Sequence, residues 1–221
     1  MNHVVIVAGG LGTRMKSDTP KQFMQLAGKP VVFYSIERFY AFDNTINIIL
    51  VLPEKHVSEW KELCAQHNFT IPHTIALGGP TRFHSVKSGL HAIEGLEGIV
   101  GVHDGARPLI NPILIHEAYS VAEKHGNAIP AVAPAETVRE VHGAQSRQLN
   151  RDHLRLIQTP QCFKLSTLKR AYDAPYNEVF TDDASVAEDM GERIHLIEGD
   201  RANLKITTPA DLTIAEALLN G

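Results

Sequence analysis

The chain is expected to be an α/β protein built on a doubly wound, mostly parallel sheet. Short apolar runs alternate with helix-like stretches, and polar segments carrying glycine follow the runs or sit at turns between them. The first run, Val4–Ala8, has no polar interruption, which suits a strand covered on both faces. A helix pattern near Val31–Tyr40 follows, then a strand at Ile46–Leu52 and helices near Val57–Gln66 and Ser85–Ile93. The alternation continues with a strand at Ile99–His103, a helix near Ile113–Lys124 and a strand at Ala128–Val132, and Pro209 to Leu219 reads as a closing helix. In such a sheet ligands gather beyond the carboxyl ends of the strands.

One segment departs from the alternation. Thr137–Val141 and Arg147–Arg151 flank His142–Ser146 like the arms of a hairpin. With few apolar residues to bury, an isolated two-stranded arm is marginal in water. It is expected to rest on a partner subunit, and an exposed, solvated hairpin is the other reading. The expected architecture is therefore Rossmann-like, one domain over residues 1–221 with a protruding β-hairpin arm at about 137–151.

A content of 43% hydrophobic and 21% charged residues is that of an ordinary globular protein. A net charge of −4 argues against a general nucleic-acid binder, whose phosphate contacts need a basic surface, so local basic residues must do any anion binding. The chain begins directly on a strand and has no run near the ~20 apolar residues that span a bilayer. A cytoplasmic protein without a membrane partner is the expectation. Cys64 and Cys162 show neither CxxC nor Cys/His ligand spacing, so they read as small core or surface residues.

The most informative segment is Ala8-Gly9-Gly10-Leu11-Gly12-Thr13-Arg14-Met15, followed by Pro20-Lys21-Gln22-Phe23. Its glycines let the backbone approach a ligand and aim N–H groups at it, and Arg14 and Lys21 add fixed positive charge. A polyphosphate is the natural ligand, because reaction at the α-phosphorus of a nucleoside triphosphate spreads negative charge over oxygens that cations must hold. The dinucleotide fingerprint fails, since Met15 stands at its third glycine, and the P-loop fails because no glycine precedes Lys21. A plain glycine turn between strand and helix explains neither Arg14 nor Lys21.

Taken together, Ala8–Met15, Pro20–Phe23, Gly78–Leu90, Val102–Pro108, Gln158–Phe163, Thr181–Glu188 and Asn203–Leu212 resemble the 2-C-methyl-D-erythritol 4-phosphate cytidylyltransferases of the non-mevalonate isoprenoid pathway. His-Asp-Gly-Ala-Arg-Pro at 103–108, Thr-Asp-Asp-Ala-Ser at 181–185 and Lys-Ile-Thr-Thr-Pro at 205–209, in this order, carry most of the specificity. The resemblance implies a homodimeric enzyme that joins CTP and a sugar-alcohol phosphate, with Mg²⁺ on the triphosphate. The attacking group is an already ionised phosphate, so no general base is required, in keeping with the lack of any Ser/His/Asp or Cys/His arrangement. His84 and His103 are assigned no direct chemistry.

Carried over by position, Arg14 and Lys21 resemble the pair that stabilises the reacting α-phosphate and the departing pyrophosphate. Ala8, Gly9, Gly10 and Gly12 would hold the nucleotide through backbone groups, and Gly79, Arg82, Ser85 and Gly105 would form its cytidine side. Pro80 and Gly105 depart from the family pattern, which commonly has a polar or acidic residue and an alanine there. For the second substrate the resemblance points to Asp104, Arg107, Thr137, Arg151, Thr181 and Lys205, cations for a phosphate and acceptors for hydroxyls. Thr137 and Arg151 would reach a neighbouring subunit's site, and for Thr137 a structural role is the other reading. Asp104 could hold Mg²⁺ directly or through water, or accept from substrate hydroxyls. Asp182 and Asp183 read as metal-side carboxylates or as the start of a helix near Ala184, with Asp183 expected as its cap. Ribitol 5-phosphate is the alternative acceptor, and a non-catalytic nucleotide sensor is the alternative from another class.

Overall fold

A computed structural model of the protein describes residues 1–9 and 20–220, with the backbone only of Lys21. In chain order its elements are β1 (Asn2–Val7), β2 (Gln25–Leu26), β3 (Lys29–Pro30), α1 (Val31–Phe42), β4 (Asn47–Leu52), α2 (Val57–Gln66), β5 (Thr74–Leu77), α3 (Arg82–His91) and β6 (Ile99–Asp104). There follow α4 (Pro112–His125), β7 (Asn127–Val132), β8 (Arg139–His142), β9 (Gln145–Gln148), β10 (Leu156–Ile157), β11 (Gln161–Lys164), α5 (Leu165–Tyr172), α6 (Asp183–Asp189), β12 (Leu196–Glu198) and α7 (Pro209–Asn220).

The main sheet runs β10-β7-β11-β6-β1-β4-β5, with β12 also on β7. β1 pairs parallel with β4 and β6, and β4 with β5. Successive side chains on a strand point to opposite faces, and here both faces are apolar. Val4 and Ile6 of β1 and Ile48, Leu50 and Leu52 of β4 enter a core made with α1, α2 and α4, around Phe33, Trp60 and Tyr119. Val5, Ile49 and Val51 enter a second core made with α3, α5 and α6, around Phe83, Leu168 and Tyr172. Two-sided burial of alternating aliphatics is what makes the sheet doubly wound.

The helices obey local rules. In α4, Asn111 accepts the N–H of Ile113 at 2.8 Å, Pro112 fills the first turn, and Gly126 closes the helix with a φ of 94°.

The sequence-based elements at the first, second, third and fourth runs, the four helices between them and the closing helix all form. The sheet is mostly parallel as expected, and β11, a strand the alternation did not mark, enters it antiparallel between β6 and β7. The hairpin arm forms about the expected centre with a tighter turn: β8 and β9 pair from Arg139↔Gln148 to His142↔Gln145, with Gly143-Ala144 as the turn, and Thr137 and Arg151 lie just beyond the ends of its strands. A tight turn at Gly143, whose φ is 59°, favours this register over the longer loop expected. Cys64 and Cys162 are free thiols. Among the described residues no helix is long and apolar enough to cross a membrane.

Candidate active site

The carboxyl ends of neighbouring parallel strands are stitched together by backbone hydrogen bonds. Ala8 N–H donates to Val51 O at 3.0 Å, Gly105 N–H to Val7 O at 2.9 Å and Gly78 N–H to Leu52 O at 2.8 Å. The loops after β1, β5 and β6 therefore share one edge of the sheet, and with them Ala8, Gly9, Gly79 and Gly105. Side chains are excluded at Gly79, where an added Cβ would lie 2.4 Å from the Cβ of His84. At Gly105 it would sit 3.3 Å from the Cβ of Ala8, so the turn after β6 presses on the first loop. Ser85 is spent on this architecture: its Oγ accepts Gly79 N–H at 3.2 Å and donates to Thr81 O at 3.0 Å. Gly10, Gly12 and Arg14 lie outside the described residues, as does the side chain of Lys21. The backbone of Lys21–Phe23 forms a helical turn anchored by Phe23, which stacks on Trp60 at a centroid distance of 6.1 Å.

Asp104, the last residue of β6, is the charged centre of the edge. Lys205 Nζ lies 2.8 Å from its Oδ2, Arg107 Nε 3.5 Å from the same oxygen and Arg82 Nε 3.9 Å from Oδ1. Burial pushes the Asp104 carboxyl up, but the charges of Lys205, Arg82 and Arg107 outweigh it and hold the group well below the usual carboxylate range. Asp104 is therefore ionised at neutral pH. Three cations against Asp104 and the neighbouring Asp183 leave an excess of positive charge suited to an anionic ligand.

Polar residues to which the sequence reading assigned no chemistry, or no individual role, hold this centre. Thr159 Oγ1 accepts the N–H of Asp104 at 3.1 Å. Arg107 Nη1 donates to Asn203 O at 2.6 Å, and Asn203 Nδ2 to Thr159 O at 2.8 Å. His103 is enclosed, with Nε2 3.1 Å from Arg107 O and Nδ1 3.1 Å from Thr159 Oγ1. A carbonyl only accepts, so Nε2 carries the proton and Nδ1 receives the Thr159 hydroxyl. Burial, opposed by Asp104, pulls His103 down to about 4, so it is neutral and structural. The only advance signal for Thr159 and Asn203 was their place in the Gln158–Phe163 and Asn203–Leu212 stretches.

Arg82, grouped by sequence with the nucleotide side, bridges two carboxylates. Its guanidinium grips Asp183 at 3.0 and 2.6 Å, while Nε faces Asp104. The expected cap at Asp183 is overturned: Asp182 caps α6 in a capping box with Ser185, and Asp183, one residue later, is fully buried and paired. A capping residue needs extended backbone so that its side chain reaches the third N–H, and Asp182 has it, with a φ of −151°. Thr181 precedes that cap, exposed, with its N–H on Ser185 Oγ at 3.2 Å.

Thr137 and Arg151 line an open concavity at the base of the arm together with Gln148, Leu149, Asn150 and Asp152. Arg151 Nη1 donates to Ala135 O at 2.6 Å. Among the described residues no hydrogen bond or ion pair joins them to the Asp104 cluster within one chain. Nor do any three metal-ligating His, Cys, Asp or Glu side chains of the described residues gather.

Comparison with known proteins reaches the whole chain. The sequence profile of the 2-C-methyl-D-erythritol 4-phosphate cytidylyltransferase (IspD) family matches residues 2–221. The chain is 50% identical over 217 residues to the 2-C-methyl-D-erythritol 4-phosphate cytidylyltransferase of Phocaeicola vulgatus, covering 98% of this chain and 99% of the relative. It is 50% identical over 216 residues to that of Bacteroides thetaiotaomicron, covering 98% of each. The solved 4-diphosphocytidyl-2C-methyl-D-erythritol synthase of Anaerococcus prevotii superposes with a TM-score of 0.84 at 25% identity, over 100% of this chain and 96% of that one.

Proposed function

This chain belongs to the 2-C-methyl-D-erythritol 4-phosphate cytidylyltransferase family, and on that premise we propose how its own residues carry the reaction. The enzyme transfers CMP from CTP to 2-C-methyl-D-erythritol 4-phosphate, giving 4-diphosphocytidyl-2-C-methyl-D-erythritol and pyrophosphate. Ribitol 5-phosphate is not favoured as acceptor by these relatives. The observation that carries the acceptor-site reading is the Asp104 cluster, an ionised carboxylate inside a ring of three cations beside the glycine-bearing loops.

In this reading Ala8, Gly9, Gly10 and Gly12 cradle the triphosphate, and Gly79, Ser85 and Gly105 shape the cytidine pocket. The lack of room for a side chain at Gly79 supports a close backbone approach there. Arg107 and Lys205 receive the acceptor phosphate, and Asp104 and Thr181 accept from or donate to its hydroxyls. The acceptor phosphate attacks the α-phosphorus in line, and Arg14 and Lys21 neutralise the charge that builds on the phosphoryl oxygens and the leaving pyrophosphate. Because the nucleophile is ionised at pH 7, positioning and charge supply the catalysis.

Among the described residues the donors do not fit a resident Mg²⁺, since Asp104 already faces Lys205, Arg107 and Arg82. We therefore assign Mg²⁺ to the substrate, arriving as the counter-ion of CTP. The chain acts as one domain whose arm, at about 137–151, pairs two copies and delivers Thr137 and Arg151 to the partner's acceptor site. The lack of contact between those two residues and Asp104 within one chain supports that division. Its partners are small anionic substrates in the cytoplasm, and the net charge of −4 speaks against nucleic acid.

Incubating the purified protein with CTP, Mg²⁺ and 2-C-methyl-D-erythritol 4-phosphate should release pyrophosphate and form the cytidine diphosphate ester, read by phosphorus NMR. No release above a heat-killed control would overturn the assignment.

A further inference from the structure

Asp183 is a carboxylate that the reaction leaves without a task, yet it is fully buried and both its oxygens are occupied. Oδ1 accepts from Arg82 Nη1 at 3.0 Å and from the hydroxyl of Tyr172 at 2.6 Å, and Oδ2 accepts from Arg82 Nη2 at 2.6 Å. A two-point grip on a planar guanidinium fixes its orientation as well as its place. Here it leaves the third nitrogen, Nε, facing Asp104 Oδ1 at 3.9 Å, a gap that admits a bridging polar atom.

The two ends of this pair belong to different halves of the site. Arg82 opens α3, directly after the Gly78–Thr81 turn on the nucleotide side. Asp183 opens α6, two residues after Thr181 on the acceptor side. The start of α6 is held from β11 as well, where Gln161 accepts Ala184 N–H and donates to Asp182 Oδ2, both at 2.8 Å. Below the pair, Phe83 stacks on Tyr172 at 4.7 Å, so the ionic link lies on a packed aromatic floor. A rigid strut between the elements that carry the two substrates is what an in-line displacement without a general base demands, since misplacement by about 1 Å can cost on the order of a hundredfold.

We propose that Asp183 is a positioning residue for the transfer reaction: its buried two-point pair with Arg82 sets the separation between the nucleotide-side helix and the acceptor-side residues Thr181 and Asp104. The inference rests on the acceptor-site reading above and deepens it. Asp183 touches no substrate; it acts through Arg82.

The test compares kcat and both KM values for Asp183→Asn, Asp183→Glu and Tyr172→Phe, each per mole of folded protein well below its melting temperature. Asp183→Asn should lower kcat by about thirtyfold or more, with the KM for CTP and for the acceptor each within about threefold. Asp183→Glu, which keeps the charge, should restore at least tenfold of that loss. Tyr172→Phe removes only a hydroxyl and should melt lower while keeping kcat. An Asp183→Asn enzyme with kcat within threefold of wild type, or an equal loss in Tyr172→Phe, overturns the inference. If Asp183→Asn does not fold, Arg82→Lys replaces it: the fork is lost while the charge stays, and a normal kcat there overturns the inference. A wild-type enzyme that forms no product defeats the activity reading itself, which is a different result from an active wild type with an indifferent Asp183.

Discussion

Lys205 Nζ stands 2.8 Å from Asp104 Oδ2, although Asp104 lies near the middle of the chain and Lys205 close to its C-terminal helix. The contact is made because Ile206 N–H donates to Ala106 O at 2.8 Å, laying the segment after β12 along the turn after β6. Lys205 keeps over a third of its side chain exposed, so it can both neutralise Asp104 and meet an incoming anion. Lys205→Met should therefore raise the KM for 2-C-methyl-D-erythritol 4-phosphate by about tenfold or more and leave the KM for CTP within about twofold. Steady-state kinetics with each substrate varied in turn reads the split, and an unchanged acceptor KM counts against the acceptor site as drawn.

Arg14→Ala and Lys21→Ala should each lower kcat by about a hundredfold or more while the fold is retained, the scale of removing one preorganised electrostatic donor. Circular dichroism checks the fold and pyrophosphate release the rate. Near-normal turnover in both variants would remove the proposed mechanism.

If Thr137 and Arg151 serve the partner's site, inactive variants should complement. A refolded equimolar mixture of Arg14→Ala and Arg151→Ala chains builds one wild-type site in each mixed dimer, so activity should return to about a quarter of wild type from two nearly inactive parents. Activity that stays at the parental level after mixing would place the arm residues in their own chain's site or outside the chemistry.

His103 titrates against the fold. Its value, pulled by burial to about 4, lies below the ordinary 6.5, so between those pH values the unfolded chain binds more protons than the folded one. The stability contributed by its neutral form is complete above pH 6.5 and drains away as pH falls toward 4. Urea unfolding at pH 7 and pH 5 should show a larger loss for wild type than for His103→Gln, and parallel losses would exclude the buried imidazole as the source.

The two glycines assigned above to the cytidine side should behave differently. An added Cβ at Gly105 meets Ala8, Ile6 and Val32 at 3.3 Å, a fit that small shifts accommodate, and Gly105→Ala should change stability by less than about 1 kcal/mol. At Gly79 the same atom falls 2.4 Å from His84 Cβ, so Gly79→Ala must displace the turn, costing about 1–3 kcal/mol and raising the KM for CTP. Thermal unfolding with and without CTP separates the two outcomes.

What the amino-acid order by itself determined was everything written locally. The unbroken aliphatics of Val4–Val7 and Ile48–Leu52 demand a strand covered on both faces, because neighbouring side chains point opposite ways and both need an apolar environment. Asn111, Pro112 and Gly126 likewise mark the two ends of one helix. Only the tertiary structure decided that β11 enters the sheet antiparallel between β6 and β7, a choice of neighbour that its four residues do not encode. It also decided that Asp183 is a buried counter-ion and Asp182 the cap, since that depends on Arg82 arriving from 101 residues away. Pairing across such a distance is set by how α3 and α6 pack on one face of the sheet, and a charge in a sequence carries no mark of the partner that packing will bring to it.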